Sequence, residues 1–205
     1  MTSVLDLAPV VPVVVIEDAA DAVPLARALV AGGLPAIEVT LRTPAALDAI
    51  RAIAAEVPEA VVGAGTVIAP DHVDAAVSAG ARFLVSPGWT DLLLDAMRGS
   101  GEPFLPGVST VSEVVALLER GVSEMKFFPA QAAGGTAYLK SLAGPLPQAR
   151  FCPTGGISLS SAPGYLALPN VGCVGGTWML PADALAAKDW ARVQSLAAQT
   201  AALRD

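Results

Sequence analysis

The chain has 205 residues, of which 54% are hydrophobic and 15% charged, and its net charge is −7. That length suits a single domain with a sizeable core, and the composition excludes a disordered chain. The negative charge, with no basic stripe, excludes a nucleic-acid binder but not an anionic small substrate, because a local site can be positive in an acidic protein.

The start, Met-Thr-Ser-Val-Leu-Asp, carries no Lys or Arg and so lacks the charged region of a secretory signal. The apolar run 10–16 is broken by Pro12 and falls far short of the about 20 residues that span a bilayer, so no membrane segment is expected. Cys152 and Cys173 make no disulfide framework and read as reduced core residues of a cytoplasmic protein. The single histidine, His72, reads as a surface residue at a helix start, with no second His or Cys nearby to build a metal site.

Candidate strands fall at 10–16, 36–40, 61–63, 83–85, 104–105, 124–127, 150–152 and 171–174. Helical patterns lie between them. The stretch 19–31 ends at Gly32-Gly33, and 45–56 follows Pro44, a good first-turn residue. The stretch 72–79 follows Pro70-Asp71 and ends at Gly80, 110–120 ends at Gly121, and a last helix runs from Trp190 towards Leu203. Repeated strand–helix alternation predicts parallel strands joined by right-handed crossovers. Eight such units favour a compact single-domain TIM (β/α)8 barrel behind a short N-terminal segment, near the lower limit of roughly 200 residues for this α/β fold. An open doubly wound sheet is the alternative. It would normally show a Gly-rich fingerprint after the first strand, where this chain reads Ile16-Glu17-Asp18.

In such a barrel the chemistry sits at the C-terminal ends of the strands. The second strand continues as Glu38-Val39-Thr40-Leu41-Arg42-Thr43, and period-two alternation puts Glu38, Thr40 and Arg42 on one face. A carboxylate and a guanidinium there suggest an acid/base group and an anion clamp, against a plain structural ion pair. The third unit, Val62-Gly63-Ala64-Gly65-Thr66-Val67, puts Thr66 at a strand end, and the fourth, Val85-Ser86-Pro87-Gly88, ends in a turn. Alone, both are ordinary loop signals.

The sixth strand carries Lys126 between apolar residues, whereas Lys140 and Lys188 look like solvated helix positions. A lysine in a strand buried on both faces is expensive unless paired, and Glu38 can pair with it. Burial favours the neutral form that an amine nucleophile needs. The other reading is a lysine that snorkels out of the barrel end. Two glycine pairs, Gly155-Gly156 and Gly175-Gly176, follow the seventh and eighth strands, where barrels often bind phosphate through backbone N–H groups and a helix start. An amine, a carboxylate, an anion clamp and a phosphate seat define a carbon–carbon lyase working through a Schiff base, without a metal or cofactor.

The segments Glu38-Val39-Thr40-Leu41-Arg42-Thr43, Val62-Gly63-Ala64-Gly65-Thr66-Val67, Met125-Lys126-Phe127-Phe128-Pro129-Ala130 and Phe151-Cys152-Pro153-Thr154-Gly155-Gly156-Ile157 closely resemble the class I 2-keto-3-deoxy-6-phosphogluconate (KDPG) aldolase and 4-hydroxy-2-oxoglutarate aldolase family, from residue 12 to about residue 186. The resemblance implies cleavage of 2-dehydro-3-deoxy-6-phosphogluconate to pyruvate and glyceraldehyde 3-phosphate, the last step of the Entner–Doudoroff route, with a side activity on 4-hydroxy-2-oxoglutarate. It implies Lys126 as the Schiff-base lysine and Glu38 as the general acid/base. It implies Arg42, Thr66 and Thr154 around the pyruvyl carboxylate, Pro87 and Phe128 lining the pocket, and Gly155, Gly156, Gly175, Gly176 and Thr177 around the phosphate. It also implies a homotrimer. Thr177 stands where the family usually has serine, which keeps the hydroxyl and adds a methyl. The aldolase for the galactonate isomer shares the Glu, the Lys and the barrel and is the nearest alternative. A phosphate-binding barrel isomerase and a sugar-phosphate sensor are the others, and neither needs Lys126 to bond covalently to pyruvate.

Overall fold

The computed structural model describes residues 3–204. A 3-10 turn at Val4–Asp6 precedes β1 (Val10–Val14). A second such turn (Ala19–Asp21) leads into α1 (Ala22–Ala31), β2 (Ala36–Thr40) and α2 (Ala46–Glu56). Next come β3 (Val61–Gly65), α3 (Pro70–Ser78), β4 (Leu84–Val85) and α4 (Asp91–Gly99). They are followed by β5 (Phe104–Leu105), β6 (Gly107–Val108), α5 (Val111–Glu119), β7 (Glu124–Phe127) and α6 (Gly135–Leu142). Last come β8 (Arg150–Pro153), α7 (Ala162–Leu166), β9 (Val174–Gly176), α8 (Ala182–Ala186), α9 (Trp190–Ala201) and a 3-10 turn at Ala202–Arg204.

The fold is α/β with parallel strands. They form a curled six-stranded sheet in the order β5-β4-β3-β2-β1-β9 and a three-stranded sheet in the order β6-β7-β8. Only Pro106 separates β5 from β6; it has no N–H to offer a ladder, but its carbonyl accepts from Lys126 N at 3.0 Å. On the other side, isolated parallel bridges pair Phe151 with Val171 and Thr154 with Gly175.

Strand alternation sorts the apolar residues into two clusters. Ile37 and Val39 of β2, Val62 and Ala64 of β3 and Phe151 of β8 join the large core shared with helix residues such as Leu25, Leu29, Ile50 and Leu139. The opposite faces supply a second cluster of Val11, Ala36, Phe83, Val85, Leu105, Cys152 and Cys173, so both cysteines are buried thiols. Val4 and Leu5 complete that cluster. Their turn is tied down by Ser3 Oγ donating to Glu124 at 2.7 Å, and by Arg150 donating to Glu124 at 2.9 Å and to Asp6 at 2.6 Å. Glu124 and Arg150 begin β7 and β8, so the N-terminal segment covers the N-terminal ends of the strands and leaves the C-terminal ends to the site.

The first strand, β1, stops at Val14, two residues short of expectation, β4 starts at Leu84 and β8 runs on to Pro153, while the two largest extensions fall at glycines. The third strand runs on through Gly65, and the last is Val174–Gly176 rather than 171–174. In both, a missing Cβ makes room for a neighbour. A Cβ on Gly63 would lie 2.4 Å from the Phe83 ring, and one on Gly175 would lie 2.3 Å from Thr154 Oγ1. The expected helix 19–31 begins only at Ala22, after the short turn capped by the Asp18 carboxylate. Lys188 is exposed as expected but lies in the turn between α8 and α9, paired with Asp21 at 2.6 Å. His72 lies in α3 and is half-buried rather than a plain surface residue. Among the described residues no helix is long and apolar enough to cross a membrane.

Candidate active site

Lys126 and Glu38 come from strands in different sheets, and both turn away from the helices. The lysine Nζ lies 3.2 Å from Glu38 Oε1, with the residues 5% and 3% exposed. Glu38 owes its position to Gly65: a Cβ there would stand 2.2 Å from Oε1 and 2.6 Å from Cγ. The Phe128 ring centroid is 5.3 Å from Nζ, within cation–π range. Gly107 pairs with Lys126 across β6 and β7, and a Cβ on it would overlap the Pro87 carbonyl group at 2.2 Å. Pro87 is thereby brought one strand away from the lysine. A buried ion pair is poor value as a stabiliser, since apolar residues of like volume usually do as well. Its presence at the centre of the strands therefore argues for chemistry.

Arg42 lies past the end of β2 and is exposed. Its Nε donates to Thr66 Oγ1 at 3.2 Å. Among the described residues no carboxylate pairs with Arg42, so its charge remains available to an anion. Thr66 itself has φ +59°, a conformation that costs a β-branched residue about 1–3 kcal/mol. Thr40 shares the predicted face but is fully buried, and its hydroxyl donates to the Val14 carbonyl at 3.0 Å.

The Thr154–Gly175 bridge brings the two glycine pairs side by side. Gly155 and Gly156 follow Thr154 with φ +103° and +75°, a backbone path that glycine alone adopts without strain. Gly176 and the exposed Thr177 follow Gly175 in the same direction. Thr154 is buried, its hydroxyl 3.4 Å from the Cys152 carbonyl.

A family model described as "Aldolase: KDPG and KHG aldolase" matches residues 1–196. The chain belongs to this family. The KHG/KDPG aldolase of Escherichia coli K12 is 54% identical over 195 residues, covering 95% of this chain and 92% of the relative. The KDPG aldolase of Legionella pneumophila, solved with pyruvate captured as a covalent carbinolamine intermediate, superposes with a TM-score of 0.94 at 47% identity over 96% of each chain. The KDPG aldolase of Zymomonas mobilis ZM4, solved with 3-phosphoglycerate, gives a TM-score of 0.91 at 50% identity over 97% of this chain and 93% of that one.

Within this KDPG/KHG aldolase chain, sequence reasoning missed the residues that act by making space. Gly65 and Gly107 read as loop signals or not at all, yet each clears the volume that Glu38 or Pro87 occupies. The one available signal was spacing: Gly63 and Gly65 fall two apart and so share a strand face.

Proposed function

We propose that this chain is a class I aldolase that cleaves 2-dehydro-3-deoxy-6-phosphogluconate to pyruvate and glyceraldehyde 3-phosphate through a Schiff base on Lys126. The observation that carries the reading is a buried amine at 3.2 Å from a buried carboxylate, at the C-terminal side of parallel strands. We also propose that the two sheets are one closed (β/α)8 barrel. Supporting this are the continuity of β5 and β6 through Pro106, the bridge between Thr154 and Gly175, and an inner cluster separate from the helix-facing core.

In the proposed reaction, Nζ of Lys126 adds to the C2 ketone, and loss of water gives a protonated imine. The C4 hydroxyl then gives up its proton and the C3–C4 bond breaks. Its electron pair enters the imine to give an enamine, and the aldehyde departs. Protonation at C3 and hydrolysis release pyruvate and restore the amine. We assign the proton transfers to Glu38, which lies within hydrogen-bond distance of Nζ. Arg42 and Thr66, with Thr154, take the pyruvyl carboxylate. Pro87 and Phe128 line the pocket, and residues 155–156 and 175–177 take the phosphate. Cleavage of 4-hydroxy-2-oxoglutarate follows the same steps with a smaller aldehyde.

A homotrimer and a cytoplasmic location go with this reading. Ile68, Leu92 and Val111 are exposed near the starts of α3, α4 and α5, and Val115 one turn into α5, apolar positions available to assembly. The reading is tested by trapping. Incubation with pyruvate and sodium borohydride gives one reduced pyruvyl adduct per chain, mapped to Lys126 and absent in Lys126→Ala. A folded protein without an adduct would favour a phosphate-binding isomerase or sensor.

A further inference from the structure

Gly176 ends β9 with the indole of Trp178 folded over its Cα, so that a Cβ there would lie 2.1 Å from the six-membered ring. Alternation explains the arrangement. Gly175 turns its bare side towards Thr154, and Gly176 turns the other way, where Trp178 packs on the helix-facing core. The indole Nε1–H donates to Thr200 Oγ1 of α9 at 2.9 Å. Thr200 is fully buried, and its own hydroxyl proton goes to the Leu196 carbonyl at 2.8 Å. With that proton committed, the oxygen meets Trp178 as an acceptor only, which fixes the ring's orientation. Trp178 also follows Thr177 in a turn closed by Leu180 N donating to the Thr177 carbonyl at 2.9 Å. One anchored ring thus backs Gly176 and carries the turn that aims Thr177.

We propose that Trp178, held by Thr200, is a positioning residue for phosphate recognition. It keeps the backbone of residues 176–177 in the geometry that an incoming phosphate needs, and Thr200 tunes affinity from the far side of the strand without touching substrate. The proposal rests on the aldolase reading, in which this backbone faces the phosphate. The physical ground is preorganisation: a binding loop already held in place loses less freedom when the anion arrives.

The test compares wild type, Thr200→Val, Thr200→Ser and Trp178→Phe on two substrates, one phosphorylated (2-dehydro-3-deoxy-6-phosphogluconate) and one not (4-hydroxy-2-oxoglutarate), with inorganic phosphate as a competitive inhibitor. In Thr200→Val, KM for the phosphorylated substrate and Ki for phosphate rise about five- to tenfold, the scale of one lost hydrogen bond. Its kcat stays within about twofold, as does kcat/KM for the unphosphorylated substrate. Thr200→Ser, which keeps the acceptor, matches wild type. Trp178→Phe keeps a ring and loses the donor, so it reproduces the Thr200→Val pattern and stands in for that variant if Thr200→Val does not fold. Equal losses on both substrates, or an unchanged phosphate Ki in both hydroxyl- and donor-deleted variants, would overturn the proposal and leave Trp178–Thr200 as packing. A wild-type protein that forms no pyruvyl adduct instead sinks the aldolase reading and the proposal with it, whereas one that forms the adduct but is not inhibited by phosphate overturns the proposal alone.

Discussion

Glu38 and Lys126 are 88 positions apart, yet their charged atoms meet at 3.2 Å in a site almost closed to solvent. An amide in place of the carboxylate keeps the size and still accepts from Nζ, but it cannot shuttle a proton. Glu38→Gln is expected to lower kcat by about 10²- to 10⁴-fold, and to lower the melting temperature as well, because the Lys126 ammonium is left buried without its carboxylate. Steady-state assay beside a thermal melt checks this. A variant within a few-fold of wild type would remove Glu38 from the mechanism.

The same pair sets a stability prediction. Lys126→Met leaves a buried carboxylate without its cation and is expected to cost about 3–5 kcal/mol. Adding Glu38→Gln in the same chain removes the orphaned charge and recovers most of that loss. Urea unfolding of the two single variants and the double variant gives the coupling directly. Equal stabilities of Lys126→Met and wild type would mean that water reaches Glu38 freely.

Gly65→Ala separates site geometry from fold. Its Cβ would collide with Glu38 at 2.2 Å, and the carboxylate is the movable partner, so it swings away from Nζ. A displacement of this size is expected to cut kcat by about 10²-fold. Pyruvate trapping on Lys126 shows whether the amine still reacts. Unchanged kcat would show that the Glu38 position is not critical.

These glycines also mark where the sequence was readable and where it was not. Period-two spacing in β2 separates Ile37 and Val39 from Glu38, and Lys126 is a lysine flanked by apolar residues in a strand, so the central pair is legible in the sequence. Capping residues such as Thr110 and the glycine after α5 marked helix limits well. What failed was the reading of glycine inside strands. Gly65 and Gly176 are strand residues because a neighbour fills their side-chain volume, and that neighbour is distant in sequence or belongs to a later turn. Two-residue strands such as Leu84–Val85 carry too little pattern to define their limits. The role of Val4 and Leu5 under the strands depends on Arg150 and Glu124, far along the chain, and leaves no local trace.

Arg42 is expected to act on binding rather than stability. It is exposed, and among the described residues its side chain meets the neutral Thr66 hydroxyl and no carboxylate, so removal leaves no charge unpaired. Arg42→Ala should weaken pyruvate binding about 10- to 100-fold, the worth of a charge-assisted pair. Unfolding free energy should change by less than about 0.5 kcal/mol. Titration of pyruvate against adduct yield after borohydride gives the apparent affinity. An unchanged affinity would assign the carboxylate to other donors.

Glu113 supplies a pH dependence whose sign follows from its surroundings. Burial pushes its carboxyl upward, but hydrogen bonds from the Ser109 and Thr110 backbone N–H groups, joined by their hydroxyls, outweigh burial and hold it below the ordinary glutamate value. A carboxyl lowered in the folded state stabilises fully above its unfolded value, and that stabilisation fades as the pH falls through the lower folded value. The charge sits in a capping box at the start of α5, where such contacts are worth about 0.5–1 kcal/mol. Glu113→Gln is therefore expected to be less stable than wild type by about that amount near pH 7, and the gap should narrow as the pH falls below the ordinary glutamate value. Urea unfolding of both proteins across that pH range measures it. A gap that is constant with pH would mean that shape rather than charge makes the cap.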